Sequence, residues 1–300
     1  RIDQVIEADD ELPAVTHELK IDGPPTLSLR NLYFAYPNTE EVALSGINLE
    51  LRGGQTLGIF GRTGSGKTTL VNLLARVYTP PAGTIFLDEQ DITKVQLQDL
   101  RAQLAVVPQD PFLFSTTLRD NIRLMGERTG HARTQDAEDA TLPTQQEVVE
   151  PVQNHDPMLD RVLADACLED DIANLSEGLD TVVGERGVML SGGQRQRAAL
   201  ARALYQAPPL LLLDDVLSAV DQGTETRLVA AIRGLREQDA GSTPTTVIVS
   251  HRTSVLEHAD EILVLDQGQV VERGTHAELV ALGGHYAEAH VHQRTEDSDV

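Results

Sequence analysis

The sequence predicts an α/β fold built on a mostly parallel sheet covered by helices. Leu210 to Leu213 form a continuous apolar run that ends in Asp214 and Asp215, the pattern of a strand buried on both faces. Strand-like and helix-like segments alternate after Leu190, as they do where helices connect parallel strands. A glycine-rich loop, Gly61 to Thr68, falls between a strand pattern and a helix pattern. In open α/β sheets ligands bind at the carboxyl ends of the strands, so the loop and the two aspartates are expected to meet there.

The elements follow in order. Residues 1–25 combine Asp9, Asp10, Glu11, Pro13, Gly23, Pro24 and Pro25 and read as an entry linker. The folded domain is expected to span residues 26–289. Leu27 to Tyr36, Val42 to Leu51 and Gln55 to Phe60 read as strands, with Gly53 and Gly54 turning the chain between the last two. Thr68 to Tyr78 carries Leu70, Val71, Leu73, Leu74 and Val77 at helical spacing. Asp99 to Gln103 reads as helix and Leu104 to Val107 as a short strand stopped by Pro108. Arg195 to Tyr205 and Thr224 to Arg236 read as helices, Thr245 to Val249 as a strand, and Glu261 to Asp266 with Gln269 to Arg273 as a hairpin around Gln267 and Gly268. Between Glu127 and Asp160 eight acidic residues, two basic residues and three prolines mark an acidic surface insertion. Residues 290–300 read as a polar tail.

Composition narrows the function. Three hundred residues allow about two domains, or one with an insertion. The 47 Asp and Glu against 24 Lys and Arg leave a formal net charge of −23, which speaks against nucleic acid as a partner. The one cysteine, Cys167, excludes an intrachain disulfide and a multi-cysteine metal site and reads as a small buried apolar residue. No uncharged apolar stretch reaches the roughly 18 to 20 residues that span a bilayer, and no secretory signal opens the chain. The chain as given is therefore expected to be soluble. It begins at Arg1, as a piece cut from a longer protein would.

Gly61, Arg62, Thr63, Gly64, Ser65, Gly66, Lys67 and Thr68 fit the phosphate-binding pattern G-x-x-x-x-G-K-[ST] at every position. The glycines let the backbone wrap phosphate oxygens, the exposed N–H groups and the helix dipole favour the anion, and Lys67 supplies a cation. Thr68 offers a hydroxyl to Mg²⁺, and Asp214 is the acidic partner of the metal. Together they specify a nucleoside triphosphate site.

Leu190, Ser191, Gly192, Gly193 and Gln194 spell LSGGQ ahead of the acidic strand end, and with these the chain resembles the nucleotide-binding domain of ABC transporters over nearly all of Thr26 to Tyr286. The resemblance implies a P-loop NTPase core with a mostly parallel sheet, an N-terminal antiparallel β subdomain and a helical subdomain carrying LSGGQ. It implies ATP and Mg²⁺ as cofactors, with Thr69 beside Thr68 in the nucleotide site. It also implies a head-to-tail dimer in which Ser191, Gly192, Gly193 and Gln194 grip the γ phosphate of ATP held by the opposite subunit. On their own, Tyr36 is a half-buried strand tyrosine, Gln109 a turn residue after proline and His251 an exposed or structural histidine. The resemblance makes Tyr36 the aromatic that stacks on adenine, Gln109 a group that reaches Mg²⁺ and the attacking water, and His251 the γ-phosphate histidine. Ser218 to Asp221 match the loop that crosses the dimer interface.

Thr181 to Gly187 and Val271 to Leu279 resemble exporter segments, and Arg1 to Ile6 resemble the linker after the last membrane helix of a half-transporter. Contact with transmembrane domains is implied near Gln109 and Thr181 to Gly187, with the membrane half expected before Arg1. A soluble ABC ATPase acting on nucleic acid and a regulatory subunit without turnover are the rival readings. The family usually has glutamate after the metal-binding aspartate, where this chain has Asp215. A carboxylate withdrawn by on the order of 1 Å can cost roughly a hundredfold in rate, although backbone adjustment at Asp215 would restore it. The pairing of Asp215 with an intact LSGGQ is most similar to one half of bacterial heterodimeric multidrug exporters. That likeness implies a non-identical partner, a drug-like or lipophilic substrate and a place at the cytoplasmic face of the inner membrane.

Overall fold

A computed structural model describes residues 18–19, 21–37, 39–124, 156–184, 187–217, 220–234 and 243–298. Among the described residues ten strands form two sheets. In chain order they are β1 (Leu27–Ala35), β2 (Val42–Leu51), β3 (Thr56–Gly61), β4 (Ile85–Leu87), β5 (Gln90–Asp91), β6 (Leu104–Val107), β7 (Leu210–Asp214), β8 (Thr245–Val249), β9 (Glu261–Asp266) and β10 (Gln269–Gly274). The first sheet is antiparallel, in the order β2-β1-β4-β5. The second runs β10-β9-β3-β8-β7-β6, parallel throughout except for the β9–β10 hairpin at its edge.

The side-chain period of two explains why these apolar runs settle as central strands. In β7, Leu211 and Leu213 enter one core while Leu210 and Leu212 enter the other, and all four are nearly fully buried. Neighbouring β8 divides in the same way, Ile248 against Val247 and Val249, and β9 divides Ile262 and Val264 from Leu263 and Leu265. A leucine buried this completely contributes about 1.5–3 kcal/mol, so a one-residue slip of register would exchange whole faces between two differently shaped cores.

The helices are α1 (Lys67–Leu74), α2 (Leu97–Ala102), α3 (Leu118–Arg123), α4 (Pro157–Asp165), α5 (Glu169–Ala173), α6 (Gly192–Tyr205), α7 (Gln222–Gly234), α8 (Thr253–Leu256), α9 (His276–Leu282) and α10 (His285–Ser298). Leu118, Ile122, Leu159, Val162 and Leu163 from α3 and α4 pack with Ala198 to Leu200 of α6 in the first core, which makes the helical subdomain that carries LSGGQ. Among the described residues no helix is long and apolar enough to cross a membrane.

Several boundaries differ from the sequence reading for local reasons. The helix expected to reach Tyr78 stops at Leu74, because Arg76 adopts φ 48° and sends its guanidinium to the carbonyls of Ile92 and Val95, at 2.8 and 2.7 Å. Leu19 and Pro25, read as linker, are buried, and the Pro25 carbonyl accepts a 2.6 Å hydrogen bond from Thr245. Most of the expected insertion lies outside the described residues. Its last five residues belong to the helical subdomain: Asp156 accepts from the Leu159 N–H at 3.0 Å and from Arg123 at 2.5 Å. Cys167 is half-buried, and burial pushes its thiol pKa up. The residues read as a polar tail continue α10 to Ser298, since they contain neither Gly nor Pro to stop a helix.

Candidate functional site

The site lies where β3, β7 and β8 end. β3 stops at Gly61, and the chain loops over Arg62 to Gly66 before α1 begins. Gly66 caps α1 with φ 102°, and a Cβ there would stand 2.8 Å from Leu44 Cδ2 and 2.9 Å from the Ala43 carbonyl. Both the left-handed backbone and the close approach therefore require glycine. At the crest, Gly64 has φ 82° with nothing near its missing side chain, which leaves the backbone open to an incoming group. Lys67 Nζ lies 2.8 Å from the carbonyls of both Gly61 and Arg62 and so spans the loop. Burial lowers its pKa, while Asp215 and Asp214 oppose the shift.

A cleft of about 680 Å³ opens over this loop. It is lined by Tyr36, Thr63, Gly64, Gly66, Lys67, Thr68, Thr69, Gln109, Asp214, Asp215 and His251, residues scattered over more than two hundred positions of sequence. Gly61 and Arg62 line a smaller neighbouring cavity. Ser65 is buried beneath the loop, its Oγ without a hydrogen-bond partner.

Asp214 closes β7 at 3% exposure. Thr68 hydrogen-bonds its carboxylate, and burial pushes its pKa up against that bond and against Lys67, with Asp215 adding to the rise. The carboxylate oxygen Oδ1 is buried with no partner. An acceptor stranded in this way costs about 1–3 kcal/mol, a cost that a divalent cation between Asp214 and the Thr68 hydroxyl would offset. The residues therefore fit Mg²⁺, an oxygen-seeking ion that takes few protein ligands beside phosphates and waters.

Asp215 has φ 51°, a left-handed conformation that aspartate tolerates better than most residues. Its N–H is held by the Val249 carbonyl at 3.0 Å, and its Oδ1 lies 3.0 Å from His251 Nδ1. That bond raises the His251 pKa, against burial. A raised histidine pKa stabilises the fold fully below the unfolded value, near 6.5, and the contribution disappears as pH rises through the folded value. The Tm difference between wild type and Asp215→Asn is therefore expected to shrink from pH 6 to pH 8.5 in nucleotide-free melts.

The Tyr36 hydroxyl is fixed on Thr69 Oγ1 at 2.7 Å, and its ring packs edge-on with Phe34 and Tyr78, at 5.3 and 5.1 Å. Gln109 is exposed, and its carbonyl accepts from Gln196 of α6 at 3.0 Å, which ties the cleft to the helical subdomain. Sequence reasoning missed the β9–β10 turn as part of this site. Gln267 and Gly268 line the cleft, and the Gly268 N–H donates to the Ser65 carbonyl at 3.1 Å. A hairpin turn was readable there, but nothing in its sequence says that it abuts a loop two hundred residues earlier.

Ser191, Gly192, Gly193 and Gln194 do not line the cleft. They open α6 with a capping box, in which the Ser191 hydroxyl accepts from the Gln194 N–H at 3.2 Å and Gln194 Oε1 accepts from the Ser191 N–H at 2.8 Å. Ser191 and Gly192 are exposed, whereas Gly193 is buried. Within this chain the Gln194 Nε2 donates to Asp171 at 3.0 Å, so both ends of its amide are engaged in its own subdomain. Of the expected interface loop, Ser218 and Ala219 lie outside the described residues, as do Glu185 and Arg186. Asp221 caps α7 through Thr224, accepting from its N–H at 2.9 Å and its hydroxyl at 2.7 Å.

The family described as "ABC transporter" matches residues 44–218. The chain is 39% identical over 98% of its length to "Probable multidrug resistance ABC transporter ATP-binding/permease protein YheI" of Bacillus subtilis, of which it covers 45%. It is 42% identical over 88% of its length to "ATP-dependent lipid A-core flippase" of Pseudomonas fluorescens, of which it covers 39%. A solved bacterial Atm1-family ABC exporter with ATP bound matches 98% of the chain with a TM-score of 0.80 and 35% identity, and the match covers 46% of that protein. The chain thus spans less than half the length of these relatives. With a P-loop cleft, an acidic strand end and LSGGQ on one fold, the chain belongs to the ABC transporter family, as its nucleotide-binding domain.

Proposed function

We propose that this chain binds and hydrolyses MgATP as one half of the motor of a bacterial exporter at the cytoplasmic face of the inner membrane. The exporter would move a drug-like or lipophilic compound. The observation that carries the reading is the separation of two anion-binding surfaces. The cleft already gathers Lys67, Thr68 and Asp214, yet the exposed helix start at Ser191 and Gly192 lies apart from it, and such a start favours an anion. A second phosphate surface that the chain's own site does not use fits a head-to-tail dimer in which it completes the partner's site. Exposed Phe112, Phe114, Val182, Val188 and Met189, on segments joined by the Thr117–Val182 bridge and the Val183 N–H bond to the Thr116 carbonyl, fit contact with transmembrane domains.

In this mechanism Lys67 and the loop N–H groups orient and neutralise the β and γ phosphates. Thr68 and Asp214 would hold Mg²⁺, with Gln109 reaching toward it. The ion supplies charge neutralisation on the phosphate oxygens. Asp215 orients the attacking water, and His251 supports the γ phosphate. Because Asp215 is a methylene shorter than glutamate, this site turns over slowly, and the partner, a non-identical subunit, carries the faster one.

A substitution at the surplus surface tests the arrangement. Gly192→Glu places a carboxylate at the helix start, where no atom beyond its chain neighbours and its own helix backbone lies within 4 Å of the new Cβ. It is expected to reduce turnover of the assembled transporter at least tenfold through the partner's site. MgATP affinity at the Lys67 site should change by less than about threefold. Loss of affinity at the Lys67 site, with the partner's turnover intact, would reverse the assignment.

A further inference from the structure

One face of α10 grips the loop that carries His251. Tyr286, His290 and Gln293 stand at i, i+4 and i+7, a single helical stripe. The Tyr286 hydroxyl donates to the Thr253 carbonyl at 3.3 Å. His290 Nδ1 lies 3.0 Å from Thr253 Oγ1. Gln293 spans the loop: its Oε1 accepts from the Thr253 N–H at 2.8 Å and from the Thr253 hydroxyl at 3.0 Å, and its Nε2 donates to the His251 carbonyl at 2.7 Å.

The helix is itself firmly seated. Tyr286 is fully buried against Phe60, with ring centroids 5.2 Å apart. The Glu272 carboxylate accepts from the N–H groups of His285 and Tyr286 at the start of α10, at 2.5 and 3.2 Å. In the same loop Arg252 pairs with buried Glu225 of α7. The His251 side chain thus lines the cleft, while its carbonyl and the two residues that follow it are held in place.

We propose that Gln293 is a positioning residue for the γ-phosphate histidine, and that the C-terminal helix thereby sets how well His251 is aimed at the nucleotide. This rests on the proposed role of His251 in ATP hydrolysis. Gln293 touches neither the cleft nor the nucleotide loop, so its removal leaves the phosphate grip intact. The His251 carbonyl alone loses its donor when the amide becomes a carboxylate, and the two oxygens then repel.

The test is made in the full-length transporter assembled with its partner, with Gln293→Glu, Gln293→Ala, His251→Ala and Val291→Ala introduced separately. Single-turnover phosphate release and MgATP affinity are measured at this chain's site. Gln293→Glu and Gln293→Ala are expected to slow hydrolysis by about tenfold, as loosely aimed catalytic groups do, with affinity within about threefold of wild type. Val291, which is 62% exposed on the same helix, should tolerate alanine. If His251→Ala slows hydrolysis and neither Gln293 variant does, the inference is wrong and the ATPase reading stands. If His251→Ala has no effect, the ATPase role of the histidine falls, and the inference with it. Equal losses of affinity and rate in the Gln293 variants, or a slow Val291→Ala, would make the helix a support of the fold only.

Discussion

Asp215→Glu is expected to raise ATP turnover of the assembled transporter by about ten- to a hundredfold at this chain's site. The geometry supplies the reason. Asp215 follows the strand-end Asp214, lines the cleft and has its N–H fixed on the Val249 carbonyl at 3.0 Å. Its carboxylate can therefore approach the water only by side-chain length. One added methylene advances it by on the order of 1 Å, and displacements of that size are worth roughly a hundredfold. Two features oppose the gain. The Asp215 carboxylate is also engaged by His251 at 3.0 Å, and glutamate must adopt the φ of 51°, which costs a non-glycine residue of order 1–3 kcal/mol and costs aspartate less. A faster but less stable variant is the expected result, read from phosphate release together with thermal melting. Unchanged turnover in a folded Asp215→Glu complex would sink the view that Asp215 is a shortened base.

What the sequence disclosed of this site depended on how local each signal was. The P-loop is legible because its residues are contiguous and each position has its own backbone or charge requirement. β7 is legible because four leucines need burial on both faces, and the two cores divide them alternately. The order of strands in the sheet is not written in any segment: β3 lies between β8 and β9 only because distant crossovers place it there. The same limit hid the Gln267–Gly268 turn and the stripe of α10. Gln293 in a polar segment looks like a solvated residue, and only the docking of Tyr286 turns that face toward His251. Gln194 illustrates the opposite case. Its motif is clear, but its amide is consumed by the Ser191 capping box and Asp171, contacts that require knowing where α5 packs.

Lys67→Ala is expected to weaken MgATP binding at this chain's site by at least about thirtyfold, measured by equilibrium titration in the assembled transporter. Lys67 acts twice. Its ammonium holds the carbonyls of Gly61 and Arg62, each at 2.8 Å, which keeps the loop closed. It is also a cation, partly buried, in a cleft whose other charged groups include Asp214 and Asp215. Removing it leaves those carboxylates to face an incoming triphosphate without a lysine counter-charge. Truncating one member of such a desolvated charge pair costs about 2–5 kcal/mol, and each 1.4 kcal/mol is a factor of about ten in affinity, which gives roughly thirtyfold at the low end. Lys67→Arg separates the two roles: it keeps the charge but brings a planar, bulkier head into a place where two carbonyls converge. It should therefore recover part of the electrostatic attraction and little of the loop geometry, binding between wild type and alanine. If Lys67→Ala left affinity within twofold, the cleft would not be the phosphate site, whatever the motif says.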